Sequence, residues 1–314
     1  MTETTENNSF CSWENHKGEV VEKSGKFKVI DCESCGFKHI VPLPTVEELE
    51  ETYKSEYYTK EKPLYVEKVA ADLEWWKLGY RDRYEEFSRN LPETRRRLLD
   101  VGSGPGFFIQ FGQENGWKVL GIEPSSLAAE HTRSLGLSVV EDLLDKKMVP
   151  ELGRFDVVHL NNVLEHVRDP QEIIECCRKL LDDGGLICVG VPNDFNPFQK
   201  ALQKSCKFKP WWVAPPHHIN YFDFDSLEQL LIRNGFEIVV RETTFPIDMF
   251  LLMGDNYIGN DELGRICHKK RMAFEHNLED AGQGEVRRQL YRQMAQLGLG
   301  REAVVMGRKI NNHI

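Results

Sequence analysis

The chain has 314 residues, 40% of them hydrophobic, and a formal net charge of −10. That length and apolar content allow one large core with appendages, and the acidic balance removes the general basic field that nonspecific nucleic-acid binding uses. No apolar run approaches the roughly 20 residues that span a bilayer, and the acidic start MTETTENNSF is unlike a signal peptide, so a cytoplasmic enzyme is expected.

Residues 1–44 show little helical periodicity. FKVIDCESCGFKHIVPLP reads as two short strands around a turn with Cys32 and Cys35 in C-x2-C spacing. Upstream, Cys11 and His16 stand in C-x4-H spacing. These four residues suit a tetrahedral zinc site, with Glu14 as a second candidate for the fourth ligand. The plainer alternative makes Cys11 and His16 ordinary surface residues. A redox role for the C-x2-C pair lacks the surrounding βαβ pattern.

Thr45 and Glu48 have the spacing of a capping box opening the helix TVEELEETYKSEYY. After Pro63, VEKVAADLEWWKLGYRDRYEEFSRNL predicts one amphipathic helix ending at Pro92. Its aromatic residues Trp75, Trp76, Tyr80, Tyr84 and Phe87 recur near the helical period, as packing against a core requires. A lid over a ligand, with Tyr57, Tyr58 or Trp76 facing it, is the sharper alternative.

From 96 to 241 strands and helices alternate at βαβ spacing, which implies a parallel, doubly wound sheet. The strands are RLLDVG, KVLGIE, LSVVED, FDVVHLNN, LICVGVP and FEIVVRET. Helices fall at about 107–115, 125–135, 171–181 and 226–234, and REAVVMGRK closes the chain as a last strand. Adjacent Cys176 and Cys177 in a helical pattern read as reduced, buried thiols. In such sheets ligands bind at the carboxyl ends of the strands.

The first of those ends is LLDVGSGPGFF, with Asp100 before a turn whose glycines are Gly102, Gly104 and Gly106. The dinucleotide fingerprint G-x-G-x-x-G would need glycine where Phe107 stands. A carboxylate at Asp100 suits an ammonium or sulfonium charge and repels a pyrophosphate. Glu123, followed by Pro124, ends the second strand and can accept hydrogen bonds from ribose hydroxyls. Asp142 and Leu143 follow the third strand, and Asn161 and Asn162 end the fourth. Beyond them Glu165 and His166 enter the next turn. An imidazole suits removal of a proton from a hydroxyl nucleophile, although His166 could instead only cap the turn.

The stretch from Pro192 to Phe222 reads as a long loop with Trp211, Trp212, four lysines and the adjacent His217 and His218. Its aromatic residues offer platforms for a sugar or base ring, and either histidine is a further candidate base. The alternative is that His218 and Tyr221 only pin the loop. Residues 246–298 are helical and basic, an insertion suited to capping a site, to homodimer contacts or to an anionic partner, with solvated helix faces as the ordinary account.

Asp100, the glycine turn and Glu123 resemble the first two motifs of the class I S-adenosylmethionine-dependent methyltransferases. LEHVRDP resembles a motif of their small-molecule branch, and PPHHINYF resembles the glycan-modifying enzymes, many of which carry an N-terminal zinc ribbon with four cysteines. This chain has three cysteines there. The resemblance implies a seven-stranded Rossmann-like sheet, a small zinc-ribbon-like region and a helical insertion before the last strand. It divides the chain into 1–44, a lid or linker at 45–95, a catalytic domain at 96–245 and 299–310, and the insertion at 246–298.

It further implies that Asp100, Gly102, Ser103, Gly104, Gly106, Phe107, Glu123, Pro124, Asp142, Leu143, Asn161 and Asn162 hold the cofactor. Glu165, His166, His217 and His218 are then the catalytic candidates, and Cys11, His16, Cys32 and Cys35 the metal ligands. The implied reaction is O-methylation of a small polar acceptor such as a sugar or nucleotide-linked sugar. C-methylation of a keto sugar and a non-catalytic zinc-containing binding protein are the alternatives.

Overall fold

The computed structural model describes residues 4–7, 16–45 and 65–310. Two sheets organise them. The larger has seven strands: β5 (Arg97–Val101), β6 (Lys118–Ile122), β7 (Val139–Val140), β8 (Phe155–Asn161), β9 (Leu181–Pro192), β11 (Phe236–Thr243) and β12 (Glu302–Lys309). Their spatial order is β11-β12-β9-β8-β5-β6-β7. β5 to β9 run parallel, and β12 enters antiparallel between β9 and β11. Helices cover both faces, so central strands are apolar along their length: Val157, Val158 and Leu160 of β8 are fully buried, as are Ile187, Cys188 and Val189 of β9. This is the expected doubly wound, Rossmann-like arrangement. Order reverses between β5 and β8, which opens a crevice at their carboxyl ends.

The smaller sheet is antiparallel, in the order β1 (Thr4–Asn7), β2 (His16–Ser24), β3 (Phe27–Cys32), β4 (Lys38–Val41) and β10 (Asn220–Tyr221). Its last strand comes from the segment after β9, so the N-terminal region is hydrogen-bonded into the α/β unit. The two share one core, in which Ile30, Phe37 and Val41 join Leu160, Leu164 and Phe222. The expected pair of strands around Cys32 and Cys35 is present as β3 and β4, and β2 is an additional strand.

The long amphipathic helix is interrupted. α1 (Tyr65–Ala71) and α2 (Leu73–Asn90) meet at Asp72, whose carboxylate accepts from His268 Nε2 at 2.9 Å. Tyr84 and Phe87 of α2 are buried against Phe108 and Trp117 of the sheet's helical layer. The capping-box helix and Tyr57 and Tyr58 lie outside the described residues.

The parallel unit carries α3 (Phe107–Glu114), α4 (Ser126–Ser134) and α6 (Pro170–Leu180), close to the expected positions, and a short α5 (Val149–Leu152) that was not expected. The segment after β9 differs from its reading as loop, because α7 (Pro197–Cys206) forms within it. Asn196 caps that helix, its side-chain oxygen accepting from Phe198 N and Gln199 N at 2.9 and 3.0 Å, with Pro197 at the first helical position. The four lysines of this stretch are exposed. After α8 (Phe224–Arg233), the insertion supplies α9 (Asp248–Leu252), α10 (Asp261–Asp280) and α11 (Gly284–Gln296). Its basic residues face acids of α2, Arg287 and Arg288 pairing with Asp82 and Arg292 with Glu86, and Arg287 also pairs with Glu279 of α10. Much of the positive charge that suggested an anionic partner is therefore neutralised within the chain. Among the described residues no helix is long and apolar enough to cross a membrane.

Candidate active site

A cavity of about 680 Å³ opens at the carboxyl ends of β5 to β8. Val101 to Pro105 of the glycine turn line it. Gly102 and Gly106 have φ of +72° and +86°, a region in which L side chains are strained. There is no room for one either: a Cβ at Gly102 would lie 2.6 Å from Val163 Cγ2, and one at Gly106 2.7 Å from Thr132 Oγ1. Gly102 N and Ser103 N both donate to Ile122 O, which holds the turn against β6. The Ser103 hydroxyl is buried and has no hydrogen-bond partner among the described residues.

Two buried carboxylates face this space. Glu123 lies at the end of β6, its Oε2 accepting from Gly104 N at 2.8 Å and its Oε1 from Ser125 N at 2.9 Å. Burial raises its pKa from 4.5 to about 7; the two N–H groups oppose that rise, and the nearby Asp100 charge adds to it. Asp100 Oδ1 accepts from His159 Nδ1 at 2.7 Å, and the His159 ring stacks on Phe108 with centroids 4.2 Å apart. Asp142 and Leu143 line the cavity at its β7 end, beside the half-exposed Pro124 edge, and Phe107, Gly104, Asn161 and Asn162 line it too. Asn162 has φ of +56°, the reversal that turns the chain out of β8, and its Nδ2 donates to Glu302 Oε1 at 3.3 Å. Gly106 shapes the turn from behind the lining residues.

The turn after β8 brings the acceptor-side candidates together. His166 lines the same cavity. Its Nδ1 donates to His217 O at 2.8 Å, which leaves Nε2 with the lone pair, 3.6 Å from Glu165 Oε1. The His218 ring stands edge-on to His166, with centroids 5.0 Å apart. Glu165 is 1% exposed. Glu165, His166 and His218 thus form one cluster, and His217 contributes its backbone carbonyl. Trp212, expected as a ring platform, is instead buried with Phe195, Ile219 and Tyr221 against Val29, Ile40 and Leu43 of the small sheet, with Trp211 packed beside it.

Residues 73–240 match the family described as a methyltransferase domain. This chain belongs to that methyltransferase family. It is 32% identical over 205 residues to a ubiquinone biosynthesis O-methyltransferase of Rhizobium etli, spanning 56% of this chain and 82% of that protein. A protein of the same name from Histophilus somni is 35% identical over 110 residues, 32% of this chain and 46% of its own length, so there the chain spans less than half of its relative. Among solved structures, a Haloferax volcanii methyltransferase in complex with the Trm112 methyltransferase activator superposes with a TM-score of 0.50 at 13% identity, over 80% of this chain and 97% of that one. That likeness shows the shared fold. The expected enzyme class, an S-adenosylmethionine-dependent methyltransferase, is borne out.

From α2, Trp76, a candidate to face a ligand in the sequence, lines the cavity, together with Tyr80, read there only as packing, and Arg83, which the sequence reading did not single out. Arg83 Nη1 donates to Cys188 Sγ at 3.3 Å, a weak partner for a guanidinium. The available signal was the helical spacing of 76, 80 and 83, which puts these side chains on one face. His159 sits inside an apolar strand, and its pairing with Asp100 depends on the β5–β8 register.

A second cluster lies in the small sheet. His16, Cys32, Cys35 and His39 are all buried and present ligand atoms within 4.8 Å of one another. His16 Nδ1 lies 3.6 Å from Cys32 Sγ, 3.3 Å from Cys35 Sγ and 2.9 Å from His39 Nε2. Tetrahedral ligands around zinc, at about 2.3 Å for sulfur and 2.0 Å for nitrogen, stand roughly 3.3–3.8 Å apart, so the donor set fits the ion. Hydrogen bonding from Cys35 above all, helped by His16 and His39 and opposed by burial, lowers the Cys32 thiol to about 2, toward the thiolate a metal needs. His39 Nδ1 donates to Ile40 O at 3.0 Å and so turns Nε2 to the cluster. His39 was missed although it follows Cys35 by four residues. Cys11 and Glu14 lie outside the described residues.

Proposed function

We propose that this methyltransferase acts on a hydroxyl oxygen of a small polar acceptor, with His166 as general base. One observation carries the proposal: Asp100, Glu123 and His166 line a single cavity at the carboxyl ends of the parallel strands. S-adenosylmethionine, when bound, supplies a methyl group on a cationic sulfur. The chain's own groups fit it. Glu123 accepts from the ribose hydroxyls, and Asp100, oriented by His159, places negative charge toward the sulfonium. The unpartnered Ser103 hydroxyl and the glycine turn would meet the methionine end, and Arg83 would counter its carboxylate. Asp142 and Leu143 take the edge and face of the adenine, with Gly106, Phe107, Pro124, Asn161 and Asn162 shaping the remaining wall.

On the acceptor side, the His217 carbonyl keeps His166 in the tautomer whose Nε2 can take a proton. The neighbouring Glu165 carboxylate favours the imidazolium that results. His218 restrains the ring from the side. Trp76, Tyr80 and Arg83 close the cavity from α2 and would restrict the approach of an acceptor to the methyl donor. We infer a sugar or nucleotide-linked sugar as acceptor from the PPHHINYF resemblance. The names of the relatives favour a second reading, a ring hydroxyl of a ubiquinone precursor, for which Trp76, Tyr80 and Phe107 offer apolar contact.

We also place structural zinc at His16, Cys32, Cys35 and His39, and take 1–44, 45–95, 96–245 with 299–310, and 246–298 as the working units. The deciding assay is transfer of labelled methyl groups from S-adenosylmethionine to nucleotide-linked sugars, keto sugars and phenolic ubiquinone precursors. His166→Ala should lower turnover by about 10²–10⁴-fold while S-adenosylhomocysteine binds as before. Wild-type turnover in that variant refutes the base, and a carbon-methylated product refutes O-methylation.

A further inference from the structure

The turn that carries His166 has no ladder of its own. Its backbone carbonyls are tied down by a two-residue segment of another element. Glu165 O accepts from Ile219 N at 2.7 Å and from Asn220 N at 3.0 Å. The Asn220 side chain closes the rest, Nδ2 donating to Leu164 O at 2.8 Å and to Val167 O at 2.7 Å. Just upstream, His217 O receives the His166 imidazole N–H. Backbone and side chain of the base are therefore both located by residues 217–220. Ile219 and Asn220 are buried at 0% and 2% exposure, so water does not compete for these bonds.

That segment is in turn the edge of the small sheet. β10 pairs antiparallel with β4, and Asn220 stands directly opposite His39. Ile40 N donates to Ile219 O at 2.9 Å, while Ile40 O accepts from His39 Nδ1. Arg233, at the end of α8, donates to Cys35 O at 2.6 Å, and Phe37 packs on Phe222 at 4.8 Å between centroids. Two hydrogen-bonded steps thus separate the Cys2His2 cluster from the catalytic turn: His39 and Ile40 to Ile219 and Asn220, then Asn220 to Leu164–Val167. The S-adenosylmethionine side lies outside this path, since Glu123 and the glycine turn are held by β6, β7 and α4.

We propose that the Cys2His2 ribbon is a positioning device for His166, acting through Asn220 as the positioning residue. The inference rests on His166 being the acceptor-side base. It assigns the ribbon an internal role, in which order in β4 sets order in β10 and β10 sets the turn that aims the imidazole. Loss of the ribbon's order loosens the acceptor side and leaves the methyl-donor side intact.

The test uses the full chain, zinc-loaded or stripped by a chelator, with S-adenosylhomocysteine as probe. Hydrogen exchange is followed at 163–167, 219–221 and 100–106, together with the NMR signal of the His166 Nδ1–H proton. Asn220→Ala should speed exchange at 163–167 by about tenfold or more and abolish that proton signal. His39→Ala and zinc removal should both speed exchange at 219–221 and 163–167, with 100–106 unchanged and S-adenosylhomocysteine affinity within about twofold of wild type. Unchanged exchange at 163–167 in Asn220→Ala overturns the clamp, and unchanged exchange there in His39→Ala overturns the link to the ribbon. Near-UV circular dichroism establishes that each variant folds. Should Asn220→Ala fail to fold, Asn220→Asp keeps the shape, removes the donor and gives the same readout. Failure of S-adenosylhomocysteine to bind wild type would refute the cofactor site alone, because the exchange comparison stands without it.

Discussion

Glu123→Gln tests the cofactor site with two effects of opposite sign. Its carboxylate is 5% exposed, with one oxygen on Gly104 N and the other on Ser125 N. Burial lifts its pKa from 4.5 to about 7. The folded state therefore holds a proton that the unfolded state releases between those values, so stability is full below 4.5 and is lost as pH rises to about 7. At about 1.4 kcal/mol per unit the loss amounts to roughly 3 kcal/mol. Glutamine does not ionise, so the variant should lack this slope. Its amide would meet one of the two N–H donors head-on, at a cost of about 1–3 kcal/mol. Free Glu123→Gln should thus be less stable than wild type at pH 4 and comparable to it at pH 8, by urea unfolding. Binding moves the other way. One charge-assisted hydrogen bond to ribose is lost, worth about 1.5–3 kcal/mol, or roughly 10–100-fold weaker S-adenosylhomocysteine binding by calorimetry at pH 8. Wild-type affinity should itself fall as pH drops below about 7, with proton release on binding, and the variant should show neither. Binding within twofold of wild type, with the same pH dependence, would refute the assignment of Glu123.

Arg83→Ala should weaken S-adenosylhomocysteine by about tenfold and flatten the salt dependence of binding, measured by titration at two ionic strengths. Gly106→Ala places a methyl group 2.7 Å from Thr132 Oγ1 at a φ of +86°, so it should destabilise the fold by roughly 1–3 kcal/mol and bind the same ligand poorly. Cys32→Ser should remove stoichiometric zinc by elemental analysis and lower the melting temperature; a wild-type protein without metal, or a variant with unchanged melting, would remove the zinc proposal.

Much of this molecule was legible in its sequence. Leu98 to Phe108 could be recognised as strand, glycine turn and helix, and Gly102 and Gly106 there adopt positive φ where no Cβ fits. Glu123 and Asp142 were identifiable as strand-tip acids because βαβ spacing assigns each strand one carboxyl end, and all such ends meet in one crevice. His16, Cys32 and Cys35 announced a metal-type cluster by spacing. Local chemistry, period and regular spacing suffice for these features, since each is written in short motifs and their order along the chain.

What the chain order conceals are contacts between distant segments. His39 joins the cluster only because β3 and β4 pair, and Asp100 meets His159 only through the parallel β5–β8 register. The tryptophans of 211–212 read as ligand platforms, but the small sheet covers Trp212 and makes it core, with Trp211 packed beside it. Asn220 gave no sign of its role, because a lone asparagine acquires one only when folding sets two carbonyls, at 164 and 167, within reach of its amide. Cofactor class follows from backbone conformations and strand-end acids that are encoded locally. The placement of His166, the proposed base, is decided by tertiary contacts across about fifty residues to His217 and about 180 from Asn220 to His39, where spacing carries no signal.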